Sequence, residues 1–346
     1  MKKQFKKHRY AFLLLMAVLI VPIFAMAETP LYQEDAVQAF ITDRVEQDHF
    51  NRDYLTNLFS QVQINQAVLD RISHPQEAKP WFLYRQFFIT PKRIQGGVDF
   101  WRQNSALLAR AQKRYGVPAS IIVTIIGIET NYGQYTGQFR VIDSLSTLAF
   151  RYPKRSVYFS NELRMLLLFC RAKHISPFSL YGSYAGAMGW EQFMPSSLLK
   201  YGVGIHSAQD LTSPKSAINS VANYLSGYGW NFKKKKMQVD AIVDNPDKMK
   251  ELSAEPERKF SVLELADYDI RPKTALSSHE QVGIIALQSG TDSFDYRLGL
   301  HNIYVVMRYN TSALYAMVTS ELSQEIEKAY KAQKVIKVAS QSSKKN

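Results

Sequence analysis

The sequence predicts a mainly helical α+β fold, on three observations. From about residue 35 to 115 apolar residues recur at i, i+3, i+4 and i+7. From 118 to 230 the chain stays helical but becomes rich in glycine and aromatic residues. Beyond 258 the pattern changes to short β-type runs, followed by one last helix. At 346 residues the chain has length for two or three domains with a sizeable core.

The first 27 residues read as a leader and not as fold, with cleavage favoured over retention as an uncleaved membrane anchor because the apolar part is short for a span. MKKQFKKHRY is a basic n-region, AFLLLMAVLIVPIF is apolar and interrupted by Pro22, and Ala25-Met26-Ala27 is a small-x-small cleavage site. The stretch 28–117 is expected to form a helical N-terminal domain, on patterns such as AVQAFITDRVEQDHF and FWRQNSALLARAQKRYG. Gly116-Val117-Pro118 breaks it. A second helical region is expected over 118–232. It ends on a helix opened by Ser213-Pro214, carrying the stripe Ala217, Ile218, Val221, Tyr224 and Leu225, and closed by Gly227. Lys233 to Lys236, NPDK and SAEPER have loop composition, and the lysine run reads most simply as a solvated face. They open a linker and small β-domain over 233–310, with the runs KFSVLEL, QVGIIALQ, DYRLGL and NIYVVMRY and a hairpin turn at SGTD, 289–292. A helix over 311–332 is expected to join the N-terminal domain, before a disordered basic tail, 333–346.

The chain carries 43 basic and 30 acidic residues, a formal charge of +13. The leader holds five of the basic residues and no acid, which leaves +8 after its removal and favours anionic partners. Export makes nucleic acid an unsuitable one. The single Cys170, in LLLFCRAK, cannot form an internal disulfide and reads as a core thiol. No cysteine lies near the leader junction, so no lipid can be attached there. HExxH, GxSxG, GxxxxGK[ST] and paired CxxC are all missing from the sequence, and the seven histidines lack metal-ligand spacing. No metal and no cofactor is expected.

One residue stands out. IIVTIIGIETNYG (121–133) is apolar nearly all round, so the helix it forms is buried, and it ends in a carboxylate, Glu129, with Gly133 as cap. Apolar surroundings and the negative end of the helix dipole both disfavour ionisation. A carboxyl that keeps its proton near neutral pH suits a general acid. Glycoside cleavage normally uses two carboxylates. Of the other acids, Asp143 and Glu162 read as surface or capping residues, and Glu191 does not repeat the context of Glu129. A lone acid among aromatics fits a reaction in which a hydroxyl of the substrate is the nucleophile.

GIETNYG, RYPKRSVYF and GSYAGAMGWEQFMPSS are specific enough for a family. With WFLYRQFF, SAINSVANYLSGYGW and RYNTSALYAM they occur in the order found in the lytic murein transglycosylase B family, which the sequence resembles from about residue 80 to 322. The resemblance implies a lysozyme-like core with a helical N-terminal domain and a small inserted β-domain. It implies cleavage of peptidoglycan glycan strands between N-acetylmuramic acid and N-acetylglucosamine without water, leaving 1,6-anhydromuramic ends, with Glu129 as sole acid and base. It assigns substrate contacts to Ser183, Gln192, Phe193, Tyr84, Lys154, Arg155, Tyr224, Tyr309, Asn310 and Tyr315. It also implies an exported enzyme of the Gram-negative periplasm, expected to be a monomer, with peripheral association with membrane or wall complexes left open.

This sequence departs from the family pattern in three places. Lys154 is a mild change in the basic pair, without the bidentate geometry of an arginine. Glu191 stands where a small residue is common, and the loop YGVGIHSAQDLTSP, where some relatives bind calcium, offers only Asp210. Two rival functions remain: a hydrolase that uses Glu191 or Asp143 as second carboxylate, and a non-catalytic wall-binding module.

Overall fold

A computed structural model describes residues 29–73, 79–255 and 257–342. The expected leader over 1–27 lies outside them. The chain divides into two compact units, one ending at Ser60 and one starting at Gln61. The boundary expected after 117 falls inside the second unit.

The described part of the first unit holds α1 (Asp35–Asp48) and α2 (Arg52–Ser60). Val37, Ile41, Leu55 and Phe59 are its fully buried centre.

The second unit opens with α3 (Gln66–Ser73), α4 (Trp81–Phe88), α5 (Pro91–Gln103) and α6 (Ser105–Tyr115). Thr90 caps α5, its side chain accepting from the N–H of Arg93 at 3.2 Å, with Pro91 as first residue. Gly116, at φ 73°, stops α6. Then comes α7 (Ala119–Thr130), whose residues from Ala119 to Gly127 are all buried. It is packed by α5, α6, α11 (Pro214–Gly227) and α15 (Ala313–Ser342). Between them run α8 (Val141–Arg151), α9 (Ser156–Lys173) and α10 (Pro195–Tyr201), with the short strands β1 (Phe139–Arg140) and β2 (Tyr181–Gly182) paired antiparallel. The stripe foreseen on α11 is buried.

The C-terminal sheet is antiparallel, in the order β4-β6-β7-β3-β5. Its strands are β3 (Gln238–Val243), β4 (Phe260–Ser261), β5 (Ile270–Pro272), β6 (Gln281–Gln288) and β7 (Phe294–Gly299). SGTD joins β6 to β7, and Gln288 pairs with Phe294. Two expected strands are corrected. KFSVLEL leaves the sheet after Ser261 and turns into a short helix (Val262–Leu265) behind a capping box of Ser261 and Glu264. NIYVVMRY is a helix, His301–Met307, buried on most sides, and Asn302 ties it to the chain at Asn231 and Lys234. A short apolar run has no period that separates strand from helix. Finally, α15 does not stop at 332 but runs to Ser342, since KAQKVIKVASQS lacks a glycine or proline to end it. Residues 343–346 lie outside the described residues.

Candidate active site

Three successive left-handed residues end α7: Asn131 (φ 49°), Tyr132 (61°) and Gly133 (87°). Asn tolerates this region, but Tyr rarely does. Tyr132 is held there by a slot. A Cβ on Gly96, Gly97 or Gly127 would come within 2.8 Å of its ring or hydroxyl. Its hydroxyl donates to the carbonyl of Arg93 at 2.7 Å, and Arg93 Nη1 donates to the carbonyl of Gly127 at 3.0 Å. Gly133 lies against Trp190, whose ring would be 2.2 Å from an added Cβ. Thr130 Oγ1 lies 3.2 Å from the carbonyls of both Ile126 and Trp190. Tyr132 and Arg93 were not foreseen as supports. The pair Gly96-Gly97 inside a helix was the available signal.

This frame fixes Glu129 in the last turn of α7. The residue keeps partial exposure, while protein surrounds its carboxyl. Burial raises its pKa to about 7, and a hydrogen bond from Tyr315 acts in the opposite direction. Tyr315 Oη donates to Glu129 Oε1 at 2.6 Å. The charge on Glu129 reaches three tyrosines, Tyr84, Tyr309 and Tyr315, and adds to burial in raising the pKa of each. These hydroxyls therefore stay protonated as donors.

The aromatics form a connected wall. Tyr309 stacks on Tyr315 at 6.4 Å and 10° and packs on Tyr224 and Phe193 at 4.9 and 5.5 Å. Its hydroxyl donates to the carbonyl of Glu191 at 2.5 Å. Phe193, Tyr224 and Tyr315 are buried, so they form the floor under the site and do not offer faces to a ligand.

Ser183 and Gln192 line an open cavity of about 900 Å³, together with Arg71, Tyr135, Arg140 and Tyr181. Ser183 Oγ accepts from the N–H of Ala187 at 3.0 Å, which leaves its own hydrogen to give. Gln192, at φ 49°, donates through its amide to the carbonyls of Gly189 (2.8 Å) and Thr136 (3.2 Å). Tyr135 and Tyr181, 71% and 57% exposed, present the free ring faces here and were missed in the sequence.

Three other expected contacts are exposed. Lys154 and Arg155 occupy an exposed turn before α9, with Arg155 over the Tyr158 ring at 4.3 Å. Asn310 is exposed and its side chain accepts from the N–H of Ser312 at 3.1 Å, a turn-forming role.

The other acids that the sequence raised are engaged or sealed. Asp143, expected at the surface, is 7% exposed, ion-paired to Arg140 at 2.6 Å and bonded to the N–H of Gln63. Glu162 is 3% exposed and caps α10 through Ser196, at 3.0 Å to its N–H and 2.7 Å to its hydroxyl. Capping was foreseen for such residues, but their burial was not. Glu191 has no exposed surface and neither carboxyl oxygen has a partner, so burial raises its pKa to about 8. Asp210 turns its oxygen onto the N–H groups of His206 and Ser207 and the Ser207 hydroxyl. Burial pushes the Cys170 thiol up to about 12.

A frame of this kind, with an acid raised by burial and set among tyrosines, is joined by a finding in the sequence itself: residues 32–324 match the family model of the transglycosylase SLT domain. The chain belongs to that family. Among members of the transglycosylase SLT domain family, membrane-bound lytic murein transglycosylase B of Escherichia coli is 40% identical over 301 residues, 84% of this chain and 82% of that protein. The catenated lytic transglycosylase SltB1 of Pseudomonas aeruginosa shares the fold with a TM-score of 0.80 at 40% identity, covering 86% of this chain and 99% of that one. SltB3 of the same organism, solved with NAG-NAM-pentapeptide, has a TM-score of 0.71 at 27% identity, covering 84% and 78%. The lysozyme-like α+β class expected from the sequence agrees with a structural relative described as a muramidase/transglycosylase, with a TM-score of 0.77.

Proposed function

We propose that this protein is a lytic transglycosylase that cleaves the bond between N-acetylmuramic acid and N-acetylglucosamine in peptidoglycan, with Glu129 as its one acid and base. The observation that carries this reading is the carboxyl of Glu129 at the end of α7, hydrogen-bonded by Tyr315 and raised by burial to about 7. Two relatives add support: a murein transglycosylase, and SltB3 solved with a glycan-peptide of the same polymer.

The resemblance implies the following steps. Tyr315 donates to Oε1, so Oε2 holds the proton and gives it to the glycosidic oxygen as that bond breaks. Glu129 is then a carboxylate, and it accepts the proton of the muramyl C6 hydroxyl as that oxygen closes on C1. One proton leaves the enzyme and one returns, and no water is consumed. The Ser183 hydroxyl orients the sugar acetamido group, and Gln192 shapes the same wall. Tyr84 and Tyr309 line the acid. Lys154, Arg155 and Asn310 take the more distant peptide and lactyl carboxylates and the groove edge.

A hydrolase would need a second carboxylate. Glu191 is sealed and neutral, and Asp143 is bound to Arg140. We further infer export to the periplasm, with residues 1–27 as leader, and action as a monomer. Among the described residues no helix is long and apolar enough to cross a membrane.

Mass spectrometry of soluble products from purified peptidoglycan tests the reading. Muropeptides one water lighter than hydrolysis products, with anhydromuramic ends, are expected. Reducing ends would replace it with a hydrolase, and retention on the polymer without products would replace it with a binding module.

A further inference from the structure

The lysine run 233–236 has no part in the site around Glu129. Two of its members, Lys234 and Lys235, stand at a second cavity of about 990 Å³, formed by α6, the start of α7, the segment from Trp230 to Met237 and α15. It shares no lining residue with the cavity beside Ser183. A volume of this order holds a ligand of a few rings.

Two features describe what would bind. Aromatic rings make the walls: Trp101 and Tyr330, stacked at 4.4 Å and 9°, with Trp230 and Phe232. Lysines dominate the rim. Lys234 is paired with Glu280 at 2.7 Å and Lys331 with Glu327, the one lining acid, at 2.5 Å, while Lys113, Lys235 and Lys334 add further positive charge.

A pyranose ring packs its C–H face on an indole or phenol and, if it bears a carboxylate, meets the rim lysines, whereas an acyl chain would cover the rings and leave those charges unanswered. We propose that this cavity is a second binding site for a carboxylate-bearing glycan, which holds a neighbouring segment of the polymer while Glu129 acts elsewhere on it. The inference rests on the proposed substrate. Its consequence is a raised effective concentration of reactive glycan on an insoluble polymer, with no effect on a short soluble one.

The test compares the Glu129→Gln chain with the same chain carrying Lys113→Glu and Lys235→Glu, both at exposed positions. Retention on insoluble peptidoglycan is expected to fall about tenfold with Tm unchanged, and to fall further with added salt. With Glu129 intact, the two charge reversals should leave turnover of a short soluble glycan unchanged. Unchanged retention would overturn the proposal. So would an equal loss of short-substrate turnover, or a loss of binding to anionic phospholipid vesicles in place of peptidoglycan. Failure of the enzymatic reading appears separately, as wild-type digests without anhydro ends.

Discussion

Glu129 and Glu191 are both carboxyls in apolar surroundings, and burial lifts them to about 7 and about 8. Their connections differ. Glu129 stands at a helix end, partly exposed, with a tyrosine hydroxyl on one oxygen. Glu191 lies in the loop between Gly189 and Phe193, without surface and without a partner on either oxygen, and only its carbonyl is used, by Tyr309. Burial alone therefore makes a protonated acid. A position at a helix end and a single directed hydrogen bond are what separate the acid proposed to exchange its proton with a substrate from one that only destabilises its charged form.

The strongest way to break this contrast is Glu129→Gln. Turnover of peptidoglycan should fall by ~10²–10⁴ or more, since a general acid supplies that range and this one serves twice, while Tm stays within a few degrees. The same change at Glu191 should leave turnover nearly intact, and an equal loss in both variants would erase the distinction. Tyr315→Phe comes next. Its hydroxyl favours the carboxylate form of Glu129, so its removal should raise the pKa of Glu129 and move the basic limb of the activity profile to higher pH. A fall in kcat of roughly tenfold should follow, within the range for a lost hydrogen bond to a charged group; an unmoved limb would contradict the assignment. Gly133→Ala addresses the frame that joins the two sites. A Cβ there meets Trp190 at 2.2 Å with φ 87°, so a loss of about 2 kcal/mol or more in stability is expected, measurable by urea unfolding. The smallest effect sharpens the contrast through stability. A carboxyl raised in the folded state binds more protons than in the unfolded one, so it lowers stability progressively as pH rises from about 4.5 to its folded value. The Tm advantage of Glu191→Gln over wild type should accordingly be near zero at pH 4 and grow up to about pH 8.

Much of this was legible in the sequence. The apolar run into Glu129, the Ser213-Pro214 start and Gly227 stop of α11, and the SGTD hairpin each carry a local rule that tertiary packing did not override. What was not legible depends on contacts between distant segments. NIYVVMRY became a helix because Asn302 binds Asn231 and Lys234, partners some 70 residues away that no local pattern reveals. The burial of Glu162 reflects its cap on Ser196. The Tyr132 slot needs glycines from two helices. At the site, the sequence singled out Tyr224 and Phe193 as ligand contacts, whereas their rings are covered. The exposed rings of Tyr135 and Tyr181 sit in segments with no period to mark them.

The most direct test of the central claim is the pH dependence of kcat/KM on a short glycan, for wild type and for Glu191→Gln side by side. A basic limb near pH 7, the same in both proteins, is the expected result, because Glu129 alone must carry the proton in the free enzyme. A limb that disappears or moves in Glu191→Gln would assign the working proton to the sealed acid and contradict the account.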